Sequence, residues 1–168
     1  MKKAVVVLFI ASLVVGSGFA LAQPAVEKSN TAKEVERTIL ESFESSNKSL
    51  TSHPEDYSRE GALEFWSNAG MLNEVGPDGG RPDRYEIRSL TPKHIIVTPL
   101  VEGQVAMAHY YSEGSLQPEG YPAVAHYLTR VTQVFVKEDG EWKVRSSHWS
   151  PLEGGAGTSQ AAEAKPEN

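Results

Sequence analysis

Three histidines in the C-terminal half of the chain, His109, His126 and His148, are the side chains best suited to chemistry near neutral pH. An imidazole can act as a general base, a general acid or a metal ligand. Three histidines could together hold zinc. However, strand alternation puts His126 and His148 on opposite faces, and no carboxylate has a clear ligand position beside them. We therefore expect no metal site, and the absence of a glycine-rich cofactor loop after a strand predicts no cofactor.

The elements that position these histidines include a hairpin near the C-terminus. The dipeptide Asp139-Gly140 lies between two β-rich runs, residues 124–137 and 142–150, and is typical of a two-residue turn. Such a turn sets the strand register, and it predicts that Gln133 lies opposite Ser146. The face predicted to line a pocket carries Tyr127, Val131, Gln133, Phe135, Trp142, Val144, Ser146 and His148.

The opposite face of the same hairpin is unusually apolar for an outer surface. It carries Leu128, Arg130, Thr132, Val134, Val136, Arg145 and Trp149. Contiguous apolar patches commonly mark interaction surfaces. We therefore expect a homodimer through the part of this face that consists of Leu128, Thr132, Val134, Val136 and Trp149.

Two helices are predicted before the strands. Val35, Ile39 and Phe43 recur at helical spacing in a first helix that starts at Thr31 and ends at Ser52-His53-Pro54. The second helix is predicted from Pro54 to Gly70, with a buried side made of Tyr57, Ala62, Phe65 and Trp66. After Gly70 the pattern becomes extended, with strands predicted near residues 71–75, 85–87, 94–100 and 104–111. Helices followed by an antiparallel meander indicate an α+β domain.

The chain begins with the pattern of a secretory signal peptide. Lys2 and Lys3 precede an apolar run at residues 4–15, and Ala20-Leu21-Ala22 is a small-x-small cleavage pattern. A membrane anchor is the alternative, but the run is too short to span a bilayer comfortably. We expect residues 1–22 to be a signal peptide, 23–30 a tether, 31–152 one domain and 153–168 a disordered tail. The protein is therefore predicted to be secreted or periplasmic.

Charge and composition restrict the partners. The formal net charge is −6, and loss of Lys2 and Lys3 makes it −8. An acidic domain repels phosphate backbones and anionic lipid surfaces, so we expect no nucleic acid partner and no membrane contact after signal cleavage. The chain has no cysteine, which excludes thiolate catalysis and disulfides.

The C-terminal pattern resembles a known family. Residues 127–144, followed by His148 and Ser150, contain Arg-x-Thr, an apolar strand, Asp-Gly-x-Trp and His-x-Ser in order. This pattern is similar to the last hairpin of SnoaL-like and nuclear transport factor 2-like domains, and most similar to the branch with the association domain of calcium/calmodulin-dependent kinases. The resemblance implies a cone-like fold in which N-terminal helices pack on a strongly curved antiparallel β-sheet around a pocket.

The resemblance also implies the site. His148 matches the His-x-Ser pattern, and His109 lies on the strand where kinase association domains carry a basic pocket residue. Gln133 replaces an arginine of that branch, which makes a carboxylate ligand less expected, although Arg130 lies near in sequence. The predicted ligand-binding residues are Trp66, His109, Tyr127, Gln133, Ser146 and His148.

Three functions stay open at this point, because the fold hosts several. The first is an exported protein that binds a small organic molecule in the pocket. The second is a cofactor-independent isomerase, dehydratase or hydrolase with His148 or His109 as general base. The third is a protein-interaction or oligomerisation module. Tyr57, Tyr110, Tyr111, Glu64 and Glu74 can also approach the pocket, but their spacing demands no chemistry, and core packing or a solvated face explains each of them equally well.

Overall fold

The computed structural model describes residues 27–68 and 70–152. The predicted signal peptide, residues 23–26 of the predicted tether and the predicted tail lie outside these ranges. Within them, no helix is long and apolar enough to cross a membrane. The elements follow the order α1 (Asn30–Ser49), a 3-10 turn η1 (Pro54–Asp56), β1 (Ala62–Phe65), β2 (Asn73–Val75), β3 (Tyr85–Val101), β4 (Val105–Pro118), β5 (Val124–Glu138) and β6 (Glu141–Pro151).

The helix α1 forms where the periodic apolar pattern predicts it. Val35, Ile39 and Phe43 recur every four residues, so they share one face, and all three are buried against the sheet. Ser29 caps the helix by accepting a hydrogen bond from the backbone N–H of Ala32 at 3.2 Å. The predicted start was therefore correct to within two residues.

The predicted second helix is wrong. Only the short turn η1 forms after Pro54, and the chain then extends into β1, where burial alternates with period two. Gly61 separates the two segments with φ +79°, and a Cβ atom there would lie 2.3 Å from the carbonyl oxygen of Val75. A helix cannot pass through this left-handed position. Glu64 consequently points inward, and Phe65 is 45% exposed instead of buried.

The six strands form one sheet in the order β2-β1-β6-β5-β4-β3, which is not closed into a barrel. All neighbours are antiparallel except β1 and β6, which pair in parallel at Leu63 and Ser146. The two predicted extended segments at 85–87 and 94–100 are parts of a single strand, β3. One helix on a mostly antiparallel sheet confirms the predicted α+β fold class.

The hairpin turn is confirmed, but the predicted register beyond it is wrong. Asp139 and Gly140 both have positive φ, and Phe135 pairs with Val144 as expected. A bulge then places Arg145 as an extra residue on β6, so that Val134 pairs with Ser146. A one-residue bulge inverts every side chain beyond it.

The bulge lies where β6 changes its neighbour. The backbone N–H of Ser58 donates to the carbonyl of Val144 at 2.9 Å, whereas β1 begins to pair with β6 only at Ser146. Arg145 lies on β6 between these two contacts and donates a hydrogen bond from Nη1 to the carbonyl of Gly61 at 2.9 Å. The irregularity is therefore a consequence of long-range packing.

Candidate functional site

A cavity of about 170 Å³ lies between α1, η1 and the inner face of the sheet. Its walls are largely aromatic, and all three tryptophans of the chain contribute to them. The aromatic lining residues are Phe43, Tyr57, Trp66, Tyr85, Tyr110, Tyr127, Phe135, Trp142 and Trp149. Aromatic walls with a small number of polar groups are typical of small-molecule sites.

Glu64 is the most unusual polar group in this cavity. It lies on the inward side of β1 and is only 4% exposed. Its carboxylate accepts hydrogen bonds from the hydroxyl of Tyr57 at 3.2 Å, from Nε1 of Trp66 at 3.1 Å and from Oγ of Ser147 at 2.5 Å. Three donors on one buried carboxylate compensate for the loss of its hydration.

The carboxylate also acts on its neighbour Tyr57. Burial, together with the negative charge of Glu64 and the hydrogen bond to it, raises the pKa of the Tyr57 hydroxyl well above its ordinary value. Tyr57 consequently stays protonated and donates to Glu64. The pair forms a fixed donor and acceptor at the wall of the cavity.

A second set of polar groups lies on the same inner face of the sheet and includes residues of β4 and β5. Tyr110 donates a hydrogen bond from its hydroxyl to Oε1 of Gln133 at 2.6 Å, and Tyr127 donates to Oγ of Ser67 at 3.1 Å. Both tyrosines are buried, and burial raises the pKa of each hydroxyl. Trp149 closes this wall through its edge contact with Tyr110, with 6.1 Å between ring centroids.

Arg88, which the sequence did not single out, brings a cation into the cavity. It lies on β3, and its guanidinium carbon is 5.0 Å from the ring centroid of Tyr85 and 5.8 Å from that of Phe43. Its Nε is buried and has no hydrogen-bond partner among the described residues. The other arginine considered, Arg130, is exposed and donates from Nε to Ser150 at 2.8 Å, outside the cavity.

Of the six predicted ligand-binding residues, Trp66, Tyr127 and Gln133 line the cavity. His109, Ser146 and His148 do not, and their predicted position is wrong. His148 and Ser146 lie beyond the bulge, so they point outward and Ser147 takes the inward position.

Alternation on β4 explains the second error. The residues of β4 that point inward include Ala108 and Tyr110, so His109 between them is exposed on the outer face. Trp149, predicted for the outer face, lines the cavity instead. The two histidines considered as general bases are therefore outside the cavity. Among the described residues, no group of three His, Asp or Glu side chains could hold a metal ion.

Comparisons with known proteins agree with this architecture. No family model matches the sequence, and no curated protein matches it. Among solved structures, a proposed aromatic ring hydroxylase from Novosphingobium aromaticivorans is 14% identical with a TM-score of 0.57, covering 76% of this chain and 93% of its own. A proposed scytalone dehydratase from the same organism is 14% identical with a TM-score of 0.53, covering 70% and 80%.

A third match is the CamKII hub homology domain of Chlamydomonas reinhardtii. It is 20% identical with a TM-score of 0.50, and the match covers 72% of this chain and 98% of that domain. Identities at this level report on the fold and not on the activity. The chain has the nuclear transport factor 2-like fold that its last hairpin predicts.

Proposed function

We propose that this protein binds a small organic molecule, about the size of a single ring, in the cavity under α1. The observation that carries the proposal is the enclosure of a buried, fully hydrogen-bonded carboxylate, Glu64, by aromatic walls in one continuous cavity. Apolar walls supply burial, and a few convergent polar groups supply orientation.

The size of the cavity restricts the ligand. A cavity of about 150 Å³ accommodates a benzene ring, and this cavity measures about 170 Å³. A single six-membered ring with one or two substituents fits this space, whereas a fused polycyclic compound does not.

The test uses the tryptophans as reporters. Because Trp66, Trp142 and Trp149 all line the cavity, we expect benzamide and phenol to change the intrinsic fluorescence in a saturable way. Ser46→Leu adds volume to a buried lining position of α1, and it should weaken binding at least about tenfold.

The neighbouring residue offers the matched control. Ser45 is exposed on the same helix, so Ser45→Leu should bind both compounds like the wild type. Circular dichroism checks that both variants fold. Fluorescence that no ring compound changes would refute the proposal.

Acid–base catalysis is the second candidate, and the hydrogen-bonded pair of Glu64 and Tyr57 favours it. A buried carboxylate can remove a proton next to a carbonyl group, and the Tyr57 hydroxyl would turn from Glu64 to donate to the carbonyl oxygen of the substrate. In D2O, the protein should then accelerate deuterium exchange at the α-carbons of cyclohexanone, and Glu64→Gln should abolish the acceleration. Exchange at the uncatalysed rate would leave binding as the function.

The outer face of the sheet supports the proposed homodimer. Leu128, Thr132, Val134 and Val136 point away from the cavity, as predicted, whereas Trp149 does not. Strand β1, which β6 separates from β5, adds Leu63 and Phe65, which are 44% and 45% exposed. A second copy of the chain would cover these apolar side chains.

Export remains part of the proposal and depends on residues 1–22. The positive start, the apolar run and the small-x-small pattern support cleavage after Ala22. N-terminal sequencing of protein recovered from outside the cytoplasm should begin at Gln23. Recovery of such protein with an intact Met1 would contradict it.

A further inference from the structure

We propose that Arg88 forms an anion-binding subsite in the cavity, so that the preferred ligand is a single-ring compound carrying a carboxylate. The inference rests on the proposed binding function and names the chemical class of its ligand. It depends on the environment of one guanidinium group and on the position of the buried carboxylate across the cavity.

No carboxylate of residues 27–68 or 70–152 is paired with the guanidinium of Arg88. The guanidinium stacks near the rings of Tyr85 and Phe43, at 5.0 and 5.8 Å from the two centroids. Its Nε is buried and makes no hydrogen bond, and Arg88 forms no salt bridge with any carboxylate of the described residues. A buried charged donor that lacks an acceptor is costly, and a ligand that supplies the acceptor recovers that cost.

A carboxylate is the functional group that best matches the guanidinium of Arg88. The guanidinium presents parallel N–H groups in a planar fork, which a carboxylate can meet with two oxygens at once. The two aromatic rings already lie close to the guanidinium in the free protein, which reduces the side-chain freedom that is lost on binding. A neutral amide presents only one acceptor and carries no charge.

The charge of Arg88 acts across this part of the cavity. Burial raises the pKa of the hydroxyls of Tyr85, Tyr110 and Tyr127, and the positive charge of Arg88 opposes that rise at all three. Three lining hydroxyls therefore lie within the field of one cation. An anionic group that enters the cavity meets this cation, whereas Asp83, which also lines the cavity, acts on Tyr85 in the opposite sense.

Glu64 determines which way the ligand points. Glu64 and Arg88 line the same cavity but form no ion pair, and their strands β1 and β3 are separated in the sheet by β6, β5 and β4. A ligand carboxylate is repelled by Glu64 and attracted by Arg88. The ring then lies between them among the aromatic walls, with the carboxylate toward β3.

The experiment compares benzoate with benzamide, which has the same shape and no charge. Intrinsic tryptophan fluorescence and titration calorimetry at pH 7 should show benzoate binding at least about tenfold more tightly to the wild type. Arg88→Met should lower benzoate affinity about 10- to 100-fold and leave benzamide within about threefold. Arg88→Lys should retain part of the preference, because it keeps the charge and loses the fork.

Arg130→Met is the matched control, since it removes an arginine from the opposite face of the same sheet. It should bind both compounds like the wild type. If Arg88→Met does not fold, the comparison of benzoate with benzamide on the wild type and on Arg88→Lys still decides the question.

The outcomes separate this inference from the proposed function. Benzamide binding as tightly as benzoate, or a benzoate preference that survives in Arg88→Met, would overturn the anion subsite and leave ring binding intact. Failure of both compounds to bind would overturn both proposals.

Discussion

Removal of the Glu64 carboxylate is the most informative single perturbation of this fold. Its oxygens receive donors from Tyr57 on the segment after η1, Trp66 after β1 and Ser147 on β6. The carboxylate thus connects residues 57–66 with β6, which is 83 positions away from Glu64 at Ser147. Glu64→Ala would leave these buried donors without an acceptor.

The magnitude follows from these three bonds. Hydrogen bonds to a charged group contribute about 1.5 to 3 kcal/mol each, but they are not additive when they share one acceptor. We expect Glu64→Ala to lower the free energy of unfolding by about 3 to 5 kcal/mol. Glu64→Gln keeps one carbonyl oxygen, and the hydroxyl of Ser147 can rotate to accept from the new amide, so its cost should be about 1 to 2 kcal/mol.

Urea unfolding followed by tryptophan fluorescence measures these values. Because a change of 1 kcal/mol shifts the melting temperature of a domain this size by roughly 3 to 5 °C, Glu64→Ala should melt roughly 10 to 20 °C below the wild type. Glu60→Ala is the control, because the Glu60 side chain is 75% exposed and its Oε2 forms a long surface ion pair with Nε of Arg145 at 3.8 Å. Its cost should be below about 0.5 kcal/mol. Equal stabilities for the Glu64→Ala and Glu60→Ala variants would refute the network.

Three further outcomes are expected. Burial raises the pKa of Tyr85 from 10.0 to about 12. As the pH rises, this hydroxyl therefore ionises in the unfolded chain before it ionises in the folded protein. Up to about 3 kcal/mol of stability, fully present below pH 10, is consequently lost between pH 10 and 12. Tyr85→Phe should flatten that part of the pH dependence of unfolding, and an unchanged slope would contradict the assignment. Val134→Glu should convert the proposed dimer to a monomer in sedimentation velocity, because it introduces an unpaired charge into an apolar face, and an unchanged profile would count against that interface. In calorimetry, Ser147→Ala should weaken the binding of benzamide severalfold, whereas His148→Ala should leave it unchanged. The opposite result would show that His148 faces inward, as the register without a bulge predicts.

Local patterns predicted much of the fold. The spacing of Val35, Ile39 and Phe43 predicted α1, because helical periodicity and burial of one face are properties of a short segment. The Asp139-Gly140 turn predicted the last hairpin, since few other dipeptides adopt two successive positive φ angles. The hairpin pattern also predicted the fold that this chain shares with solved structures.

The candidate site was only partly predictable. The extra residue of the bulge lies on β6, so alternation along β5 is uninterrupted and placed Tyr127 and Gln133 correctly on the inward face. Arg88 was missed because its surroundings, residues 85–87, carried only a weak strand pattern. A basic residue in such a pattern is usually solvated, and only the structure shows that Nε of Arg88 is buried and that its guanidinium lies near Tyr85 and Phe43.

Tertiary structure alone decided which residues of β6 face the cavity. The sequence predicted a strand over residues 142–150, and the strand forms at Glu141–Pro151. The bulge at Arg145, however, turns Ser147 and Trp149 inward in place of Ser146 and His148. The bulge arises because a distant segment, β1, pairs in parallel with the outer part of β6 and not with its beginning. Periodicity carries no information about a neighbour some 80 residues away, and a shift of one residue is enough to invert a strand.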